Sequence, residues 1–325
     1  MKAIFYLTVT YGYPLYSYLS GGKHMKINII RSDKVYRNLL NMPIIERRSY
    51  FKEQILAPFK PKFYQQGIPY EAKQDGGFDI MMLLSWMHFI PEKLTLQQLP
   101  LIDNLDDRFW ENCEIAIRDS LARFSSFKLP VQDYTFTTLL ANPVAPMLQI
   151  NNGYSGDGGI PGYIFLSLVP ESTILSRIPS ALAHEVNHNV RYQFIEWDGG
   201  SLMEMIVAEG LAENFAVQMY GKENLGPWVS KTNLDTLNQI IKPFLHSNLE
   251  VRGMQTITAY LYGDEIAAMM GQDGVGMPYC AGYACGYYLI KYYLEKTGKT
   301  IEEASLLPAS EILAEVEEFW IETTH

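Results

Sequence analysis

The five residues His184-Glu185-Val186-Asn187-His188 hold the densest chemistry in the chain. On a helix, residues four apart share a face, so His184 and His188 present two imidazoles to one point. Glu185 lies one residue round, close enough to meet a water held between them. Two nitrogen donors beside a carboxylate base are what zinc-dependent hydrolysis requires. The bland alternative is a helix with two surface histidines and a glutamate. The flanks argue against it: Leu182, Ala183, Val186 and Val190 are apolar, and burying the polar trio among them without a compensating partner costs several kcal/mol.

A catalytic zinc needs a third protein ligand and an open position. No third histidine lies nearby, but Glu204, Glu209 and Glu213 follow on a segment that starts at Ser201. Ser201 and Glu204 stand in a capping-box relation, which gives Glu204 a structural task. Glu209 and Glu213 share a face of a segment that is apolar nearly all round, with Ile206, Val207, Leu211, Phe215 and Val217. Buried carboxylates of this kind are paired or metal-bound. We assign Glu209 as the third metal ligand and Glu213 as the partner that orients a ligand histidine. The exchanged assignment, and a plain salt bridge, are the alternatives.

These residues need two helices to carry them. Pro179 suits the first turn of one that runs through His184 and His188 to about Tyr192, and Gly199-Gly200 ends the loop before the next. Upstream, Lys34 to about Phe127 reads as largely helical, best between Asn104 and Phe127, where Phe109, Cys113, Ile117, Leu121 and Phe124 recur at helical spacing. The apolar run Ile80 to Ile90 reads as a buried helix with His88 as a satisfied core histidine, and His246 sits near a helix end. Pro130 then breaks the pattern. Tyr134 to Leu140, Met147 to Ile150 and Tyr163 to Leu168 read as strands, and Asn151-Asn152-Gly153 and Ser155 to Gly159 as turn formers between them. From Pro179 onward the chain again reads as helical to about Phe319. The fold class is α+β, a small antiparallel or mixed sheet between helical regions. The expected organisation is an N-terminal extension over 1–24, a helical region over 25–129, and a catalytic region over 130–325 with its sheet in 130–170 and its site helices in 179–220.

His-Glu-Val-Asn-His-Asn-Val-Arg (184 to 191), Val-Ala-Glu-Gly-Leu-Ala-Glu (207 to 213) and Gly-Tyr-Ala-Cys-Gly-Tyr (282 to 287) resemble the YjaZ-type family of predicted zinc-dependent proteases, and more broadly the gluzincins. The resemblance covers roughly residues 130 to 320. It implies a zincin-like fold, a bound Zn2+, and peptide hydrolysis through a zinc-activated water with Glu185 as general base. Of the candidate oxyanion donors Tyr279, Tyr283, Tyr287 and Tyr288, it favours Tyr283, because Tyr283-Ala-Cys-Gly286 is similar to the Tyr-x-x-Gly element of aminopeptidase-type gluzincins. It also implies an edge strand beside the zinc helix, here expected where Gly159-Ile160-Pro161-Gly162 leads into Tyr163 to Leu168, for pairing with an extended peptide. Arg191 is expected to pair with an acidic group of the fold.

Composition bounds the rest. A net charge of −10 without a basic run disfavours nucleic acid and anionic lipid as partners. No segment has the roughly 18 continuous apolar residues of a membrane span. Three sparse cysteines, Cys113, Cys280 and Cys285, read as buried thiols rather than a disulfide framework, and with a weak signal-like start this points to a cytoplasmic protein. The expected partner is a peptide or protein substrate. The competing reading is a non-catalytic zinc-fold binding or chaperone-like module.

Overall fold

The computed structural model describes residues 25–74, 76–146, 148 and 151–324. The expectations for residues 1–24 and for most of Met147 to Ile150 lie outside them. In chain order the elements that matter for the site are β1 (Lys26–Ile30), α1 (Ser32–Leu40), α2 (Ile44–Phe51), α3 (Lys60–Gln65), α4 (Asp107–Arg123), β2 (Asp133–Leu140), β3 (Tyr154–Ile160), β4 (Tyr163–Leu168), α5 (Ile178–Arg191), α6 (Leu202–Tyr220), α7 (Met254–Tyr262), α8 (Ala281–Thr297) and α9 (Ile301–Ser305). The architecture is mixed α+β, a four-stranded sheet among many helices.

The strand order is β1-β2-β4-β3. The pairs β1–β2 and β2–β4 are parallel, and β3 runs antiparallel to β4 with Gly156 opposite Leu166. The central strands read as apolar runs because both faces are covered. In β4, Ile164, Leu166 and Leu168 enter the main core with α4 and α5, whereas Phe165 enters a second core. There its ring stacks on Phe59 at 4.1 Å and on Phe63 at 5.9 Å. The N-terminal helices thus cover one face of the sheet and the site helices the other.

Several expectations change. Lys26 to Ile30, which reads in sequence as the opening of a strand, is one and pairs with β2, so the sheet is not confined to 130–170. The stretch from Ser155 to Gly159, expected as a turn, is the body of β3. Strand β4 is flanked on both sides, so β3 and β1 are the edges, not Tyr163 to Leu168. The expected helix from Ile80 ends at Ser85. His88 instead bridges to Ala141, and its ring nitrogens meet the Leu84 carbonyl at 3.0 Å and the Ser167 hydroxyl at 2.7 Å, a satisfied histidine as expected. His246 closes a short helix, its ring stacked on Trp320 at 4.9 Å. No described helix is long and apolar enough to cross a membrane, and the three cysteines are buried and free.

Helices α6 and α8 cross with almost no space between them. A Cβ added at Gly210 would lie 2.1 Å from the Gly286 carbonyl oxygen, and one at Gly286 would lie 2.1 Å from that of Ile206. Glycine in mid-helix lowers helix propensity, so its use at both positions reflects the need for close backbone approach.

Candidate metal centre

Helix α5 carries the first motif and is buried along nearly its whole length. Three of its polar side chains, Asn187, Asn189 and Arg191, bond to neighbouring elements and so fix its rotation. Asn187 Nδ2 donates to Ser305 Oγ of α9 at 2.7 Å. Asn189 Nδ2 donates to the carbonyls of Gly158, Ile160 and Tyr163, while its Oδ1 accepts from Gly162 N at 2.8 Å, so one side chain ties the β3–β4 hairpin to the helix. Arg191, fully buried, forms a two-pronged pair with Glu204 at 2.8 Å on each arm and donates to the Ser305 and Leu307 carbonyls. Arg191 therefore pairs with an acid as expected. Ser201 caps α6 by accepting from Glu204 N, but the Glu204 side chain turns to Arg191 rather than closing the capping box.

With α5 so held, His184 and His188 face Glu209 of α6. His184 Nε2 lies 3.1 Å from His188 Nε2 and 3.2 Å from Glu209 Oε2, and His188 Nε2 lies 3.3 Å from the same oxygen. All three side chains are buried, and each offers one donor atom to a common point. Three donor atoms in mutual contact repel unless a proton or a metal cation lies among them. For zinc bound tetrahedrally at about 2.0–2.1 Å, neighbouring donors stand about 3.3 Å apart. The donor triangle therefore fits zinc in both size and chemistry.

Glu213, one turn beyond Glu209, does not join the triangle. Its carboxylate meets His184 Nδ1 at 3.1 Å and accepts from Trp228 Nε1 at 2.8 Å and Gly226 N at 2.6 Å. With Trp228 and Gly226 already donating to this carboxylate, a proton on His184 Nδ1 suits it best, which is the tautomer that leaves Nε2 to face the centre. Glu209 thus shares the donor triangle with the two histidines, whereas Glu213 contacts the far nitrogen of His184. His188 Nδ1 is buried without a hydrogen-bond partner among the described residues.

Glu185 projects beside the triangle, and its Oε2 accepts from Gly158 N of β3 at 2.7 Å. A Cβ at Gly156 would stand 2.1 Å from Glu185 Oε1, and one at Gly158 would stand 2.2 Å from the Glu185 carbonyl oxygen. Gly156 and Gly158 are required by this contact rather than by a turn. Burial pushes the Glu185 carboxyl up against the pull of His184 and His188, the direction suited to a base that must give its proton back. At Glu209 burial acts the same way, but His188 and His184 outweigh it and hold the carboxyl well below the usual range.

Aromatic rings wall the centre. Trp228 lies edge-on to His184 at 5.9 Å and against Tyr154 at 5.6 Å. Tyr283 of α8 lies 6.3 Å from Trp228 and 5.4 Å from Tyr262 of α7. Burial first, and the nearby Glu209 charge second, raise both tyrosines and keep them protonated. Tyr192 stacks near His188 at 6.5 Å. Of the other tyrosines considered, Tyr279 donates to Asn151 Oδ1, and Tyr287 packs edge-on against Tyr288. Sequence reasoning missed Trp228, Tyr262 and the Gly156–Gly158 contact. No motif marks them, because each reaches the centre from an element remote in sequence.

The fold and site together define an α+β protein with a buried His-His-Glu centre suited to a metal ion. Residues 109–314 match the family described as "Predicted Zn-dependent protease (DUF2268)". A relative from Bacillus subtilis (strain 168), "Uncharacterized protein YjfC", is 31% identical over 296 residues, 90% of this chain and 98% of that protein. The chain belongs to this family of predicted zinc-dependent proteases. No solved structure matches it.

Proposed function

We propose that the protein is a zinc metallopeptidase with a zincin-like arrangement, in which His184, His188 and Glu209 hold the ion. The observation that carries this reading is the donor triangle of 3.1, 3.2 and 3.3 Å with Glu185 beside it. Bound zinc supplies Lewis acidity toward a peptide carbonyl and an attacking water. Glu185 takes the proton of that water and passes it to the leaving amine. Glu213 fixes the His184 ring, and Tyr283 offers its phenol to the developing oxyanion. The outer edge of β3 is the docking place for an extended peptide backbone. The acidic chain and its free buried thiols fit a peptide or protein substrate in the cytoplasm rather than nucleic acid.

Elemental mass spectrometry on protein purified without added metal, with a peptide-library assay, tests the reading. About one zinc per chain is expected in wild type and in Glu185→Gln, and little in His188→Ala and Glu209→Ala. Hydrolysis is expected in wild type alone. Absence of zinc from wild type even after reconstitution would overturn the metal site. Zinc without hydrolysis of any peptide would favour the non-catalytic binding module.

A further inference from the structure

Strand β3 is held from two sides, and only one belongs to the site. Toward α5 it presents Gly156, packed against the Glu185 side chain, and Gly158, whose N–H donates to Glu185 Oε2 and whose carbonyl accepts from Asn189 Nδ2. Toward the N-terminal region it presents Asp157, which forms an ion pair with Lys62 Nζ of α3 at 2.6 Å and accepts from Gln66 Nε2 at 3.1 Å. Lys62 is fully buried, its ammonium 5.8 Å from the Phe165 ring, while the Asp157 side chain is 44% exposed. A glycine-rich edge strand has little side-chain packing to fix its position. An uncharged side chain of similar length would fill the Lys62 site without desolvating an ammonium, and buried ion pairs contribute register more dependably than stability.

We propose that Lys62 is a positioning residue: from outside the matched family segment, it sets the height of β3 over Glu185 through Asp157. The N-terminal helical region is then part of the site's machinery. The inference deepens the peptidase reading, because a displaced β3 would bind an extended peptide less well. Its structural half stands apart from that reading.

The test uses the full chain with Lys62→Met, Asp157→Asn and the double variant, none of which touches the donor triangle. Asp157→Asn alone leaves the buried Lys62 ammonium without its counter-charge and lowers thermal stability, whereas the double variant recovers it. In the double variant, amide exchange across residues 154–160 is expected to speed up by about tenfold or more, with zinc content as in wild type. For a cleaved fluorogenic peptide, KM is expected to rise about fivefold or more, with a fall in kcat beside it because Gly158 N moves relative to Glu185. A folded double variant whose 154–160 amides stay as protected as in wild type would overturn the inference, as would an unchanged KM. A wild type that cleaves no peptide, with the exchange contrast intact, would sink the peptidase reading and leave the positioning role standing.

Discussion

Gly210 and Gly286 meet backbone to backbone where α6 crosses α8, each leaving no room for a methyl group on the other's helix. Gly210 directly follows Glu209, and Gly286 lies three residues beyond Tyr283, so one contact sets the spacing between the helices that carry these two residues. Two of the three sequence stretches that carry the family resemblance are thus facing surfaces of a single helix crossing.

Gly286→Ala tests that crossing. Helix propensity alone favours alanine by about 1 kcal/mol, but the Cβ would stand 2.1 Å from the Ile206 carbonyl oxygen. Backbone cannot swing aside as a side-chain tip can, so overpacking wins and the variant is expected to lose about 1–3 kcal/mol. Urea denaturation measures this. Zinc content should fall with it, because displacing α6 moves Glu209. A variant as stable as wild type would show that the helices can slide apart freely.

Glu213→Gln removes a charge from the partner of His184 without changing its size. Loss of such an orienting carboxylate lowers metal affinity by about 10–100-fold. Competition with a zinc chelator gives the affinity, and Trp228 fluorescence reports whether its indole N–H keeps a partner. Unchanged affinity would mean that His184 is held by packing alone.

Arg191→Leu strands Glu204 in a fully enclosed position and frees the Ser305 and Leu307 carbonyls. The expected cost is about 3–5 kcal/mol, and Arg191→Leu/Glu204→Leu should recover most of it, since an apolar pair replaces a buried ion pair with little penalty. Chemical denaturation of the single and double variants decides the matter.

His88 controls part of the acid sensitivity. Burial pushes its imidazole down to about 4, against the raising effect of the Leu84 carbonyl. The unfolded chain, with His88 near its ordinary value of about 6.5, takes up a proton that the folded chain refuses. Stability from this group is therefore complete above about pH 6.5 and falls as pH drops toward 4, by at most about 3 kcal/mol. His88→Gln should flatten the stability profile between these pH values, read by thermal denaturation at each pH. An unchanged slope would place the acid sensitivity elsewhere.

The sequence by itself determined what is local. The i, i+4 spacing of His184 and His188 follows from helical periodicity, and the apolar surroundings of Glu209 and Glu213 mark them as carboxylates in need of a partner. Pro179, Ser201 and the strands Tyr134 to Leu140 and Tyr163 to Leu168 were legible for the same reason. Tertiary structure decided what depends on segments meeting. Ser155 to Gly159 reads as a turn by propensity, yet it is the body of an edge strand paired to β4, and its glycines at 156 and 158 are there because α5 leaves no room for a side chain. The division of labour between Glu209 and Glu213 was open in sequence, since both lie on one face. What separates them in space is Gly226 and Trp228, which bring two N–H donors to Glu213 from a later loop, while Glu209 faces the two histidines. Tyr262 and Lys62 reach the site region across even longer separations. Periodicity encodes which face a residue occupies; it does not encode what will be packed against that face.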